Sequence, residues 1–322
     1  MNKIIFIFLM LVQFKLAAQS FAPAAGLPGS TAIHKDSSVF VLWADGVEVV
    51  RGFRDVSEEF QGYASYGVPE NAMGTAEGDG TTIVSLGDSG IATLTFPGVI
   101  INGPGPDFAI FENGFADNYM ELGHVEVSSN GLDFYRFPSV SETPIDVQIT
   151  NFTFGDCRYV HNLAGKYRQG FGTPFDLEDL AHILNLDVNH ITHVRIIDVV
   201  GSINTLYATY DGLGNIINDP FSTPWESSGF DLDAVGVIHS QPLELGENSL
   251  DFSLYPNPSN DFIHFTSGFS GELTILDLSG RALGSFTFNE NLSVDLTPFE
   301  AQVLLFQIQS NGITLIKRVI KN

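Results

Sequence analysis

The chain has 322 residues, of which 44% are apolar and 12% aromatic, with 14 Lys and Arg against 38 Asp and Glu, a formal net charge of −24. That much apolar content excludes a disordered chain, and so few basic residues exclude nucleic acid, whose phosphates are held by clustered Lys and Arg. One cysteine, Cys157, excludes an internal disulfide, so stability has to come from a large core or from bound ions.

The N-terminus carries Lys3, an apolar run Ile4–Val12 and the small residues Ala17 and Ala18 before Gln19, the layout of a secretory signal over residues 1–18. Removing Lys3 and Lys15 from the 14 basic residues leaves 12 against 38 acidic ones, a formal charge of about −26 for the mature chain. No later stretch reaches the roughly 20 apolar residues of a spanning helix, so the expectation is a secreted or surface protein that is not integral to a membrane.

Residues 19–241 read as one all-β domain. Short alternating runs rich in Val, Ile, Phe and Thr predict strands at Val39–Trp43, Ile91–Phe96, Asp107–Glu112, His124–Ser128, Phe134–Phe137, His193–Val199 and Asp231–Ile238. Asn130-Gly131 predicts a tight hairpin turn. Pro174–Leu186 predicts one short helix, with Asp176 as N-cap and Leu177, Leu180, Ala181 and Leu184 on one face. Residues 242–251 lose alternation and read as a linker. Residues 252–322 come next with their own short strands, at Phe252–Tyr255, Phe262–Phe265, Glu272–Asp277, Val303–Gln309 and Ile313–Val319.

This last region carries three ordered blocks: Leu254-Tyr-Pro-Asn-Pro-Ser-Asn-Asp-Phe-Ile-His264, Leu273-Thr-Ile-Leu-Asp-Leu-Ser-Gly-Arg281 and Gly312-Ile-Thr-Leu-Ile-Lys-Arg-Val-Ile-Lys321. Together, from about residue 248 to the end, they resemble the C-terminal sorting domain of the Bacteroidetes type IX secretion system. The resemblance implies a small Ig-like β-sandwich, passage across the outer membrane, and the secretion machinery as a partner. In the main domain, Asn71-Ala-Met-Gly-Thr-Ala-Glu-Gly-Asp-Gly80, Val125-Glu-Val-Ser-Ser-Asn-Gly-Leu-Asp-Phe134, His193-Val-Arg-Ile-Ile-Asp198 and Phe230-Asp-Leu-Asp-Ala-Val-Gly-Val237 resemble galactose-binding-like jelly rolls such as discoidin domains and carbohydrate-binding modules. That resemblance implies a jelly-roll β-sandwich and a glycan or other small-molecule ligand.

Strand alternation puts Asp231 and Asp233 on the face of Val235 and Val237, and Glu112 on the face of Phe108 and Ile110, with Asn113 and Asp117 adding oxygens. A carboxylate on an apolar face needs a partner. Glu112, Asp117, Asp231 and Asp233 are thus the candidate ligands of a structural Ca²⁺; the alternative has them accept backbone or Arg195 hydrogen bonds at strand ends. The long connection between Tyr207 and Gly229 carries Tyr207, Tyr210, Phe221 and Trp225, with Tyr207, Tyr210 and Trp225 the candidate ligand-stacking rings. Arg158 and Lys166, in the one basic cluster of the domain, are candidates for an anionic ligand group, or else pair with its carboxylates.

No Gly-x-Ser-x-Gly, His-Glu-x-x-His or phosphate loop occurs. A non-catalytic surface binder of a glycan or small molecule is the expectation. The alternatives are a structural or adhesive protein, a cobalamin-capture accessory suggested by family context, and a glycoside hydrolase using Glu112 with Asp231 or Asp233. A stacking site predicts exposed Trp225 and Tyr210 beside a concavity, and a hydrolase predicts two carboxylates in a cleft.

Overall fold

The computed structural model describes residues 20–242, 252–310 and 313–322. The secretory signal and most of the linker lie outside these residues. The chain divides into two compact units, one ending at Leu243 and the other beginning at Glu244.

The first unit is a sandwich of two antiparallel sheets. In one, the order is Ile33–His34, Phe171–Phe175, Phe108–Glu112, Asp231–Val237 and Leu42–Trp43, with Val84–Ser85 also pairing with Asp231–Val237. In the other it is Ser240–Pro242, Ile91–Ile100, Ile191–Asp198, Gly123–Ser128 and Tyr135–Arg136, with Gly46–Val50 also on Ile91–Ile100. The longer strands from Ile91 onward alternate between the sheets along the chain, so neighbours within a sheet are distant in sequence, as in a jelly roll. Alternation explains the core. Ala92, Leu94 and Phe96 of one sheet and Phe108, Ile110 and Phe175 of the other bury their side chains in a common cluster with Val125, Val194 and Ile196.

All seven predicted strands of this unit are present, with shifted ends. The helix is not. Phe171–Phe175 continues as a strand through Pro174 and gives way to a single 3-10 turn, Leu177–Leu180, capped as expected by the Asp176 side chain accepting from Glu178 N. Leu177 and Leu180 enter the core while Leu184 is fully exposed, so the apolar face ends after one turn. No α-helix occurs among the described residues. Asn130-Gly131 also opens a wider connection than a two-residue turn: Glu126 faces Arg136 and Val127 faces Tyr135, and Asn130 Oδ1 accepts from Leu132 N and Asp133 N.

The alternation expected for Asp231–Val237 breaks at a bulge. Leu232 faces Glu112 but Ala234 faces Phe111, so the register shifts at Asp233. Leu232, Val235 and Val237 therefore share the main core, and Ala234 packs with Ala109 and Phe111 on the other side.

In the second unit Phe262–Leu276 and Ala282–Asp295 are long paired strands, flanked by Phe252–Tyr255, Gln302–Ser310 and Ile313–Lys321. Pairing is interrupted between Thr266 and Ser270, and the two halves of these strands close over one core that includes Ile263, Phe265, Leu273, Ile275, Phe288 and Phe306. Ala282–Asp295, unforeseen because its exposed face is polar and glycine-containing, supplies Phe288 and Val294 to it. Gly280, at φ 84°, closes the turn before this strand, where Asp277 Oδ1 accepts from Ser279 N and Arg281 N. The Tyr-Pro-Asn-Pro block has a structural role of its own. Asn257 Nδ2 donates to Arg318 O at 2.9 Å and Asn257 Oδ1 accepts from Ile320 N at 2.9 Å, tying the first signature block to the last.

Candidate functional site

Four strand termini meet at one end of the sandwich: Glu112 ends its strand, Asp231 begins the neighbouring one, Asp198 ends its strand, and Gly123 lies opposite Asp198. The connections leaving this end are long. They run from Glu112 to Gly123, from Ser141 to Cys157 and from Asp198 to Asp231. Loops held by a rigid scaffold are where binding residues concentrate.

The strand ends and loops bring together an unusual set of buried carboxylates: Asp55, Asp88, Glu112, Glu121, Asp198, Asp219 and Asp231. Most of them fasten loops. Asp198 accepts from Phe230 N at 2.7 Å and Ser89 N at 2.9 Å, Asp219 from Leu122 N at 2.9 Å, Asp88 from Val56 N at 2.7 Å, and Glu112 Oε2 from Gly114 N at 2.8 Å. Gly229, at φ 69°, lets its backbone pass Asp198, since a Cβ there would stand 2.6 Å from Asp198 Oδ1.

Burial is the main cause that raises the pKa values of this group, and mutual repulsion adds to it. Glu112, Glu121, Asp198 and Asp219 are held well above the usual carboxylate range, each by burial first and then by its acidic neighbours. Asp231 and Asp88 are each raised to about 7, again by burial first. The Asn113 side chain and the Arg51 guanidinium oppose the rise at Asp231. Asp231 Oδ2 accepts from Asn113 Nδ2 at 3.1 Å, while Asp231 Oδ1 and Glu112 Oε1 are buried without a partner.

Above this layer lies a pocket of about 370 Å³. Glu121 and Asp231 line its inner part, with Asn151 and Thr223 as further polar groups, and Phe115, Tyr119, Phe152, Phe154 and Trp225 supply rings. Phe115 and Tyr119 lie against each other with ring centroids 5.1 Å apart. Trp225 is 51% exposed and Phe152 85% exposed, and with Phe115 and Phe154 they form an exposed aromatic patch around the pocket.

Of the residues expected from sequence, the structure brings Trp225 and Asp231 to this pocket, with Glu112 directly behind. Tyr207 and Tyr210 are not among its lining residues. Arg158 pairs with Asp156 beside a second cleft, and Lys166 is buried, donating to Val160 O at 2.7 Å beside a third. Asp117 pairs with Arg168, and both oxygens of Asp233 accept backbone N–H groups, from Glu77 at 3.0 Å and Gly78 at 2.9 Å. Arg195 pairs with Glu126 and lies over the Phe134 ring rather than meeting these acids. Among the described residues no group of three or more His, Cys, Asp or Glu side chains is placed to hold a metal ion.

Sequence reasoning did not single out Glu121, Tyr119, Phe115, Phe152 or Phe154. The available signal was the pair of aromatics in the polar stretch Asn151-Phe-Thr-Phe-Gly155, a pattern with no use as a strand face in a loop.

No curated protein sequence matches the chain. Among solved structures, the chain is similar to the BSP domain of a biofilm associated protein at 13% identity and TM-score 0.20, covering 72% of this chain and 48% of that one. It is similar to β-glucuronidase from Ruminococcus gnavus, in complex with uronic deoxynojirimycin, at 10% identity and TM-score 0.22, covering 86% and 44%. A further structure of that enzyme matches at 9% and 0.21, covering 93% and 46%. The chain spans about half the length of these matched chains, and at such scores the likenesses carry no inference of fold or activity. Among the described residues no helix is long and apolar enough to cross a membrane. A family model for the secretion system C-terminal sorting domain matches residues 253–322. The C-terminal unit is thus a type IX secretion sorting domain, which engages that machinery and directs the protein to the outer cell surface or beyond it.

Proposed function

We propose that the exported protein is a binding protein whose main domain captures a glycan residue or similar small ligand in the pocket between Trp225 and Glu121. The observation that carries this is an exposed indole beside a concavity of about 370 Å³ with buried polar groups at its inner end. A small-molecule site has that composition, mostly apolar walls with a few placed polar groups. Ring faces on Trp225, Phe115 and Phe152 suit a sugar's apolar face, and Asn151, Thr223, Glu121 and Asp231 suit its hydroxyls.

The hydrolase alternative draws on Glu121 and Asp231 sharing one cleft. Turnover of aryl glycosides that is lost in Glu121→Gln would establish it. Calcium has less support. Of the four candidate acids, only Glu112 and Asp231 keep a buried oxygen without a partner, Oε1 and Oδ1, against the roughly six to eight oxygens the ion takes. The test of the binding reading is a glycan array, with cobalamin added, probed with the mature chain and with Trp225→Ala. Specific binding weakened about tenfold or more by the substitution, with unchanged melting, supports the pocket. Binding indifferent to both Trp225→Ala and Phe152→Ala refutes it.

A further inference from the structure

We infer that the ligand of this pocket carries a positively charged amine or quaternary ammonium group, seated over the aromatic faces and against the carboxylates of Glu121 and Asp231. This rests on the pocket being a ligand site and adds the charge of the ligand it takes.

No Lys, Arg or His lines the pocket, whereas two acids do. Both are more than nine-tenths buried, Glu121 at 7% exposure and Asp231 at 5%. Asp231 Oδ1 has no hydrogen-bond partner, and the Glu121 side chain lines the pocket beside it. The charges that act most strongly on Glu121 are those of Asp231, Glu112, Asp219 and Asp198, all of its own sign. Arg51, the cation that acts on Asp231, directs its guanidinium to the carbonyls of Tyr66, Ser85 and Gly67. Lys166 and Arg168 are also engaged elsewhere, at Val160 O and at Asp117.

Burying a carboxylate without a counter-charge costs several kcal/mol, so burial holds protons on these acids at the inner end of an open pocket, and a cation seated there favours their ionised forms. An organic cation pairs with the carboxylates as those protons leave, and rings around the opening attract the same group through their quadrupoles, by roughly 0.5–2 kcal/mol per contact. An anionic sugar such as a uronate opposes that ionisation. A neutral sugar stacks equally well but gains nothing from it. The chemistry selects an ammonium on a compact body, whether an amino sugar or a choline-like head group.

Calorimetric titration of the mature chain at pH 7.5 with choline, glucosamine, glucose and glucuronate separates these cases. The expected result is that at least one of the two cations binds, about tenfold or more tighter than glucose, and that glucuronate does not bind. Glu121→Gln then weakens the cation about tenfold more than it weakens glucose, whereas Trp225→Ala weakens both alike. Choline against glucosamine tells a head group from an amino sugar. Glucose binding as tightly as glucosamine, insensitive to Glu121→Gln but lost in Trp225→Ala, overturns the cation inference and leaves the pocket reading standing. Absence of binding by both cations at about 10 mM also overturns it, and the glycan array then judges the pocket by itself.

Discussion

Replacing Asp231 with Asn isolates the stability cost of one buried carboxylate. The group is raised from 3.8 to about 7 in the folded protein, with burial the leading cause. An acid whose folded pKa lies above its unfolded one destabilises the fold once the unfolded chain ionises, so the cost starts near pH 4, grows up to about pH 7 and is constant above that. At about 1.4 kcal/mol per pH unit, the full cost is about 4 kcal/mol. Asn keeps an acceptor for Asn113 Nδ2 and places a donor where Oδ1 has no partner, on the strand facing Ser85, whose hydroxyl is also buried without one. Urea unfolding of the mature chain should therefore show Asp231→Asn more stable than the parent by about 4 kcal/mol at pH 8, and by less than about 1 kcal/mol at pH 4. A stability difference that stays flat from pH 4 to pH 8 would falsify the assignment of a high pKa to this carboxylate. A loss of stability at pH 8 would mean that its charge is compensated in the protein.

Asp198→Ala strips the acceptor from Phe230 N, which is buried, and from Ser89 N, and should lower stability by about 2 kcal/mol or more in the same assay. In the C-terminal unit, Asn257→Ala removes the link to Arg318 and Ile320 at a cost of about 1–3 kcal/mol, seen as faster proteolysis of that unit. Deletion of residues 253–322 should leave the protein inside the cell envelope, measured by fractionation and surface labelling. Cys157, 3% exposed and with its thiol pKa raised by burial, should react with a thiol reagent only after denaturant is added.

The sorting domain was legible in sequence because its blocks serve local needs. Pro256 and Pro258 fix their own backbone, and Gly280 at positive φ closes a turn in which Asp277 accepts from Ser279 N and Arg281 N, all short-range backbone demands. The seven predicted strands of the main domain were legible for a similar reason: alternation over four or more residues reports which side of a sheet is buried. The helix failed because one capped turn with Leu177 and Leu180 inward looks the same as the start of a longer helix, and only tertiary packing decides where burial ends.

Asp231 and Glu112 could be suspected from the sequence as carboxylates on strands that bury apolar side chains. The bulge at Asp233, which sets the faces of the residues after it, could not be, since a register shift belongs to a pair of strands rather than to one. Composition and motif thus determined an exported, acidic, two-part β protein and the means of its export. The pocket was decided by the tertiary structure alone. Glu121, Phe152 and Trp225 come from three loops far apart in the chain, and their positions depend on which strand ends the sandwich brings together.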